Sequence, residues 1–411
     1  MDSLLKKYLR GDATLWVVFI MLCVVSVIEM YSASSTLAYK AESHTAPVLR
    51  HVSFLAGGAL LAIFVHLIPY RYIRLMSYVG LLVSILMLVW VLFKGQSEND
   101  ATRWLVIGGV QFQPSELAKL SVIIVAADFI SRIKNQEADE KKYFRNTMIL
   151  LAVVCPLILL ENFSTAILLF GVVYLMMFIG RVSLKRLGLV GATILLAIIL
   201  GFSAVKLIPQ EKMPEAFDRA YTWVARIDRF TGDKKADAET SKYEINDENR
   251  QVQHGRIAIA RGGVFGVGPG NSVERDFLPQ AYSDFIYAIV VEELGLIGGI
   301  FVILLYLVLL YRAGRIATTS PTVFPAVLVI GLSLMIVTQA FVSMSVATSL
   351  GPVTGQPLPL ISRGGTSILI TCLYFGVILG VTRQIKESNQ SKNEMDEKPE
   401  EEVPVVTLEE L

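Results

Sequence analysis

Apolar residues in this chain come in long runs rather than in stripes. Runs of roughly 17–25 residues recur from one end to the other, the length a helix needs to cross a bilayer core. They predict ten membrane spans, at 14–33, 52–69, 72–93, 117–131, 147–161, 163–180, 187–208, 284–311, 323–346 and 365–383. The fourth and fifth are short, as expected of helices that are broken or shielded from lipid. The boundary between the fifth and sixth rests on Glu161–Asn162. Merging those two would leave nine spans and move the C-terminus to the other side.

Lys and Arg set the orientation, because cytoplasmic loops retain them. Nineteen fall on the side that holds the N-terminus, the second, fourth, sixth and eighth loops, and the tail. The other side has eighteen, but twelve lie in the long segment 206–275, and long loops are exempt from the rule. Both termini are therefore expected in the cytoplasm. The first run could be read as a signal peptide, since Ala33-Ser34-Ser35 follows it. Glu29 inside the run and nine later spans favour a retained anchor. The expected fold is an all-α polytopic membrane protein. It comprises a cytoplasmic N-terminus (1–13), a transmembrane domain (14–386) with an outer loop at 209–283, and a disordered acidic tail (387–411). Within the outer loop, 231–250 is polar and expected to be mobile.

Composition agrees with the run pattern. Of 411 residues, 54% are hydrophobic and 18% charged, against about 45–50% and about 25% for soluble domains. This excludes a disordered chain, a disulfide scaffold and a basic nucleic-acid binder. Cys23, Cys155 and Cys372 sit in apolar stretches with no CxxC spacing, as core or lipid-facing thiols do. Net charge is +1, but the tail has nine acids and two lysines, so the body carries +8 against −7. No internal repeat is evident, so the inverted-repeat signature of many transporters is not supported.

Ionisable residues inside spans are functional candidates by default. Here they are Glu29, Glu116, Lys119, Asp128, Glu161, Asp284, Glu292 and Glu293. Four special stretches converge on the outer side. The first runs from Arg103-Trp104 to Pro114-Ser115-Glu116-Leu117-Ala118-Lys119, where Pro and an acid suit a helix start and Glu116 and Lys119 share a face. The second, Gly262 to Ser272, is glycine-rich but lacks the strand–turn–helix setting of a nucleotide loop. Its backbone could still present N–H groups to an anion. In the third, Asp284 enters the eighth span; Ser283 could cap that helix as well as Asp284, leaving the aspartate for chemistry. The fourth, Gly355 to Ser367, has too many prolines and glycines for a regular helix. Such backbone survives at membrane depth only where it lines protein or a wet cavity.

No nucleotide is expected on that face, so a reaction there needs an activated substrate. His44, His51, His66 and His254 form no zinc pattern, and no G-x-S-x-G elbow appears. A carboxylate flanked by cations could deprotonate a hydroxyl while Lys and Arg hold a leaving anion.

The strings RWLVIGGVQFQPSELAKL, AIARGGVFGVGPGNS, LPQAYSDFIYAIVVEELGLIGG and TGQPLPLISRGGTS resemble the SEDS family of peptidoglycan polymerases, the FtsW/RodA type. They are collinear and cover residues 12 to 385. The resemblance implies ten spans, cytoplasmic termini and polymerisation of lipid II into glycan strands outside the inner membrane, in cell division and cell-wall biogenesis. Undecaprenyl pyrophosphate leaves, and a β-1,4 bond forms with inversion. It implies Asp284 as the catalytic base toward the acceptor 4-hydroxyl. It implies Arg103, Glu116, Lys119, Gln253, Ser362 and Arg363 as substrate-binding, with Lys119 and Arg103 on pyrophosphate or orienting carboxylates. A divalent cation (Mg or Mn) near Asp284 and Glu116 fits the family but has no spacing signature here. Implied partners are lipid II, a class B penicillin-binding protein with transpeptidase activity, and regulatory membrane proteins of the divisome; nucleic acid is not expected.

The sequence departs from the family at several points. Arg363 stands where Tyr is common, Asn249-Arg250 replaces a frequent Gly-Tyr, and Gln280 stands where Glu is usual. The tail and the L-P-Q-A-x-S-D-F string look more like the division branch than the elongation branch. Alternatives are an elongation-type polymerase controlling cell shape, a lipid II flippase using a charged path through Glu29, Asp128, Glu292 and Glu293, or a scaffold for the transpeptidase.

Overall fold

In a computed structural model, residues 10–38, 46–94, 96–98, 101–107, 110–135, 140–207, 218–232, 245, 249–278 and 281–396 are described. Each expected span falls on one helix: α1 (Ala13–Ala38), α2 (Ala46–Leu67), α3 (Tyr70–Lys94), α4 (Pro114–Asn135), α5 (Glu140–Leu159), α6 (Phe163–Ile179), α7 (Leu184–Leu207), and three C-terminal ones. Between α7 and those three lie α8 (Asp218–Gly232), α9 (Arg250–Gly262) and α10 (Glu274–Phe277). The C-terminal helices are α11 (Ile286–Thr319), α12 (Val323–Ala347) and α13 (Gly365–Asp396). Among the described residues, eight helices are long and apolar enough to cross a membrane. Of the other two expected spans, α6 is apolar but has 17 residues. The other, α4, has 22 residues and carries Glu116, Lys119 and Asp128.

The short spans prove to be longer helices with polar ends, which an apolar-run reading trims. The break at Glu161–Asn162 is real. Asn162 caps α6, its side-chain oxygen accepting from the Thr165 N–H at 3.2 Å. Two features depart from expectation. The loop before α4 is a small antiparallel sheet of β1 (Gln96–Glu98), β2 (Ala101–Ile107) and β3 (Val110–Phe112) in the order β1-β2-β3. The last helix also continues through Asp396, into the segment expected to be disordered. Its apolar stripe ends near Ile385, but nothing in the next ten residues breaks a helix, since the first proline comes at Pro399. Most of 231–250 lies outside the described residues.

α12 and α13 form the centre, with 72% and 83% of their apolar windows enclosed; α7, with 6%, is peripheral. The two chain ends meet on one face. The Asp12 N–H donates to Thr382 Oγ1 at 3.1 Å, Arg10 pairs with Glu387 at 3.5 Å, and Arg312 of α11 donates to the Asp12 carboxylate. The sheet and the loops before α11 and α13 gather at the opposite end.

Candidate active site

The segment between α12 and α13 builds one wall. Three prolines (Pro352, Pro357 and Pro359) lack N–H groups, and Leu360 adopts φ +67°, so no helix or strand satisfies this backbone. Side chains from four helices do so instead, and a fifth helix holds a side chain of the segment. Gln339 Nε2 (α12) donates to the Pro357 carbonyl at 3.1 Å, Tyr306 Oη (α11) to that of Pro359 at 2.6 Å, and Ser26 Oγ (α1) to that of Leu360 at 2.6 Å. Arg226 Nη1 (α8) donates to the Val353 carbonyl at 3.2 Å, and Gln356 Nε2 donates to Thr165 Oγ1 of α6 at 2.7 Å. Backbone with no regular ladder is thereby held at membrane depth.

This wall positions Asp284. Ser362 Oγ donates to the Ser283 carbonyl at 2.6 Å, and the Arg363 N–H donates to the Tyr282 carbonyl at 2.8 Å. The Arg363 guanidinium lies over the Tyr282 ring, 5.0 Å from its centroid. Ser283 Oγ donates to Asp284 Oδ1 at 2.9 Å. The aspartate stays half-buried, facing an open cavity of about 540 Å³.

Glu116, Asp284 and Arg363 line this cavity, as do Trp104, Gln111 and Gln113 from the sheet and its exit. Arg50 of α2, Arg226 and Gln251 join them, with Asn162 beside them. Three arginines therefore face two carboxylates. Glu116 is already paired with Lys119 at 2.7 Å, so the open charge balance favours an anion. The other expected site residues sit elsewhere. Lys119 is 1% exposed and lies behind Glu116, where it cannot touch a ligand in the cavity. Ser362 is buried and acts on the backbone. Gln253 does not line the cavity, whereas Gln251 on the same helix does. The backbone of Arg103 lies in β2; its side chain is outside the described residues.

The glycine-rich loop does not face the cavity. Its amides meet carboxylates of the chain itself. The Gly270 and Ser272 N–H groups donate to Glu293 at 2.9 and 3.3 Å, and the Val273 N–H donates to Glu292 at 3.1 Å. Ser32 Oγ donates to Glu293 and Ser272 Oγ to Glu292. Gly266 has φ +80°, and a Cβ there would stand 2.1 Å from the Glu293 carbonyl oxygen, so only glycine fits. The anion nest expected from the glycines exists, but Glu292 and Glu293 fill it.

The remaining intramembrane acids make no continuous charged path among the described residues. Asp128 is fully buried and receives Arg74, Arg132 and Tyr78 at the end that holds the chain termini. Glu29 is buried, with no hydrogen-bond partner on either carboxylate oxygen.

No cluster of three or more His, Cys, Asp or Glu suited to a metal occurs among the described residues. The donor set does not make a protein cage. Hard divalent cations of the Mg type do bind through one or two carboxylates plus substrate phosphates, and Asp284 could serve in that way.

A helical membrane bundle whose pinned loops hold a carboxylate among arginines is the class of protein that fold and cavity define. The chain belongs to the family of cell cycle proteins that comprises FtsW, RodA and SpoVE, whose model matches residues 12–387. It is 31% identical over 381 residues to the probable peptidoglycan glycosyltransferase FtsW of Hahella chejuensis, covering 91% of this chain and 90% of that one. It is 29% identical over 385 residues to stage V sporulation protein E of Bacillus subtilis, covering 92% and 98%. Its fold matches a solved structure described as coordinating polymerization and crosslinking by a peptidoglycan synthase complex (TM-score 0.69, 24% identity, 92% and 99% covered). It also matches the rod shape determining protein RodA of Thermus thermophilus (TM-score 0.61, 23% identity, 92% and 98% covered).

Proposed function

We propose that this protein is a peptidoglycan glycosyltransferase of the FtsW type that polymerises lipid II. The observation that carries this reading is the cavity, which sets one half-buried carboxylate, Asp284, on a pinned loop among Arg50, Arg226 and Arg363. Asp284 takes the proton of the acceptor's 4-hydroxyl as that oxygen attacks the donor's anomeric carbon. The bond to undecaprenyl pyrophosphate breaks, a β-1,4 bond forms with inversion, and the arginines stabilise the departing anion. Glu116, held by Lys119, orients the sugar. A divalent cation, where one binds, would neutralise pyrophosphate charge beside Asp284.

The bundle sits in the cytoplasmic (inner) membrane with both ends inside, since the Lys/Arg bias and the meeting of the chain ends on one face agree. The cavity then opens outward, where lipid-linked substrate is presented. The working partner is a class B penicillin-binding protein, alongside regulatory membrane proteins of the divisome. Residues 387–411 serve as a cytoplasmic tail following the 14–386 membrane domain.

The test is polymerisation of lipid II by the purified protein with its transpeptidase partner, wild type against Asp284→Ala. Glycan strands from the wild type alone are expected. Equal product from both would overturn the Asp284 assignment, and lipid movement without polymer would favour a flippase.

A further inference from the structure

We propose that Gln339 is a positioning residue for the transfer reaction, coupling the Pro357 loop to the buried Lys119–Glu116 pair; this rests on the polymerase reading above. Gln339 lies in α12, 5% exposed, with no place on the cavity wall. Its amide faces two ways. Oε1 accepts from Lys119 Nζ at 2.9 Å, and Nε2 donates to the Pro357 carbonyl at 3.1 Å. The partners fix which end is which, since an ammonium only donates and a prolyl carbonyl only accepts.

Lys119 Nζ also donates to Glu116 Oε1 at 2.7 Å. An unbroken line of polar contacts therefore runs from Glu116 on one wall, through Lys119 and Gln339, to Pro357 on the other. A carboxylate that contacts sugar in the cavity takes its place from this line. An amide is the side chain that suits the bridge: a carboxylate keeps the acceptor but loses the donor, and an aliphatic chain loses both. Without the bridge, the buried ammonium keeps Glu116 alone, and loop and carboxylate are free to drift apart. Misplacement by about 1 Å costs on the order of 100-fold in rate.

Gln339→Leu is compared with wild type in the complex with the transpeptidase, reading kcat and KM for lipid II and the melting temperature. The accessibility of the loop is read in parallel from maleimide labelling of Val353→Cys in a background with the three native cysteines replaced. We expect kcat to fall at least tenfold with KM within twofold, the melting temperature within a few degrees, and faster labelling. Wild-type kcat in Gln339→Leu overturns the inference. A loss confined to melting temperature and yield also overturns it, since that is what a merely structural role predicts. If Gln339→Leu does not fold, Gln339→Glu keeps an acceptor for Lys119 but removes the donor to Pro357 and adds a charge beside the ammonium; the same fall in kcat is expected, and an unchanged kcat overturns the coupling. If wild type makes no glycan, the polymerase reading fails on its own. The labelling then decides for Gln339, with an unchanged rate overturning its hold on the loop.

Discussion

Two loops without regular structure lie in this bundle and solve the same problem in opposite ways. The glycine-rich loop before α10 points its N–H groups inward at Glu292 and Glu293, two fully buried carboxylates of α11. Its polar groups and the acids satisfy each other, and nothing remains for a ligand. The proline-rich loop before α13 has carbonyls to satisfy, and those accept from Gln339, Tyr306, Ser26 and Arg226 on surrounding helices. Because the helices do the satisfying from behind, the front of that loop stays open, with Asp284 and Arg363 beside it. Irregular backbone in a membrane protein thus marks a site only when its partners stand on the far side from the cavity.

Changes on the open loop should cost activity, and changes on the closed one should cost stability. The largest effect expected is at Asp284. Replacement by Asn should lower the polymerisation rate by about 10²–10⁴-fold and leave the melting temperature nearly unchanged, because the side chain is half-buried. Next is Glu293→Ala. It removes the acceptor of the Gly270 and Ser272 N–H groups and of Ser32 Oγ, and one ion-pair neighbour of Arg275, which keeps its bonds to Ser32. Loss of about 3–5 kcal/mol follows, seen as a fall in folded protein in detergent, while the rate per folded molecule stays close to wild type. Gly266→Ala should act in the same direction, by about 1–3 kcal/mol, since its φ of +80° and the Glu293 carbonyl both oppose a Cβ. The smallest is Gln356→Ala, which removes one bond to Thr165 among several loop anchors; about 0.6 kcal/mol is the usual worth of such a bond in a membrane protein. If Glu293→Ala instead stopped polymerisation in well-folded protein, the division of labour between the loops would be wrong.

Much of this was legible in the sequence. Long apolar runs locate helices without a partner or an alignment, and even the Glu161–Asn162 break could be placed from two polar residues. Asp284, Glu116 and Arg363, far apart in the chain, do reach one cavity. Lys119 lies behind that cavity. Spacing of three residues puts it on the face of Glu116, but not which end of that face is closed by α12. Arg50 and Arg226 were passed over because arginines near span ends or in an outer loop serve equally as topology signals. Asn162 reads as a boundary in the sequence, and the family resemblance points to Gln253, whereas Gln251 on the same helix lines the cavity. The glycine nest was sound chemistry with the wrong anion: its carboxylates lie about twenty residues onward, a distance over which pattern reading does not pair groups. The small sheet escaped notice because its strands are short and two have three residues.

The contact at the chain ends has a mechanical side. Asp12 touches both Thr382 in the middle of α13 and Arg312 in the last turns of α11. At its other end α11 begins two residues after Asp284. Its 34 residues run as two helical stretches that meet at a kink at Gly295, where φ is +70°. The end that holds the chain termini and the end that holds the aspartate are thus joined by a single length of chain.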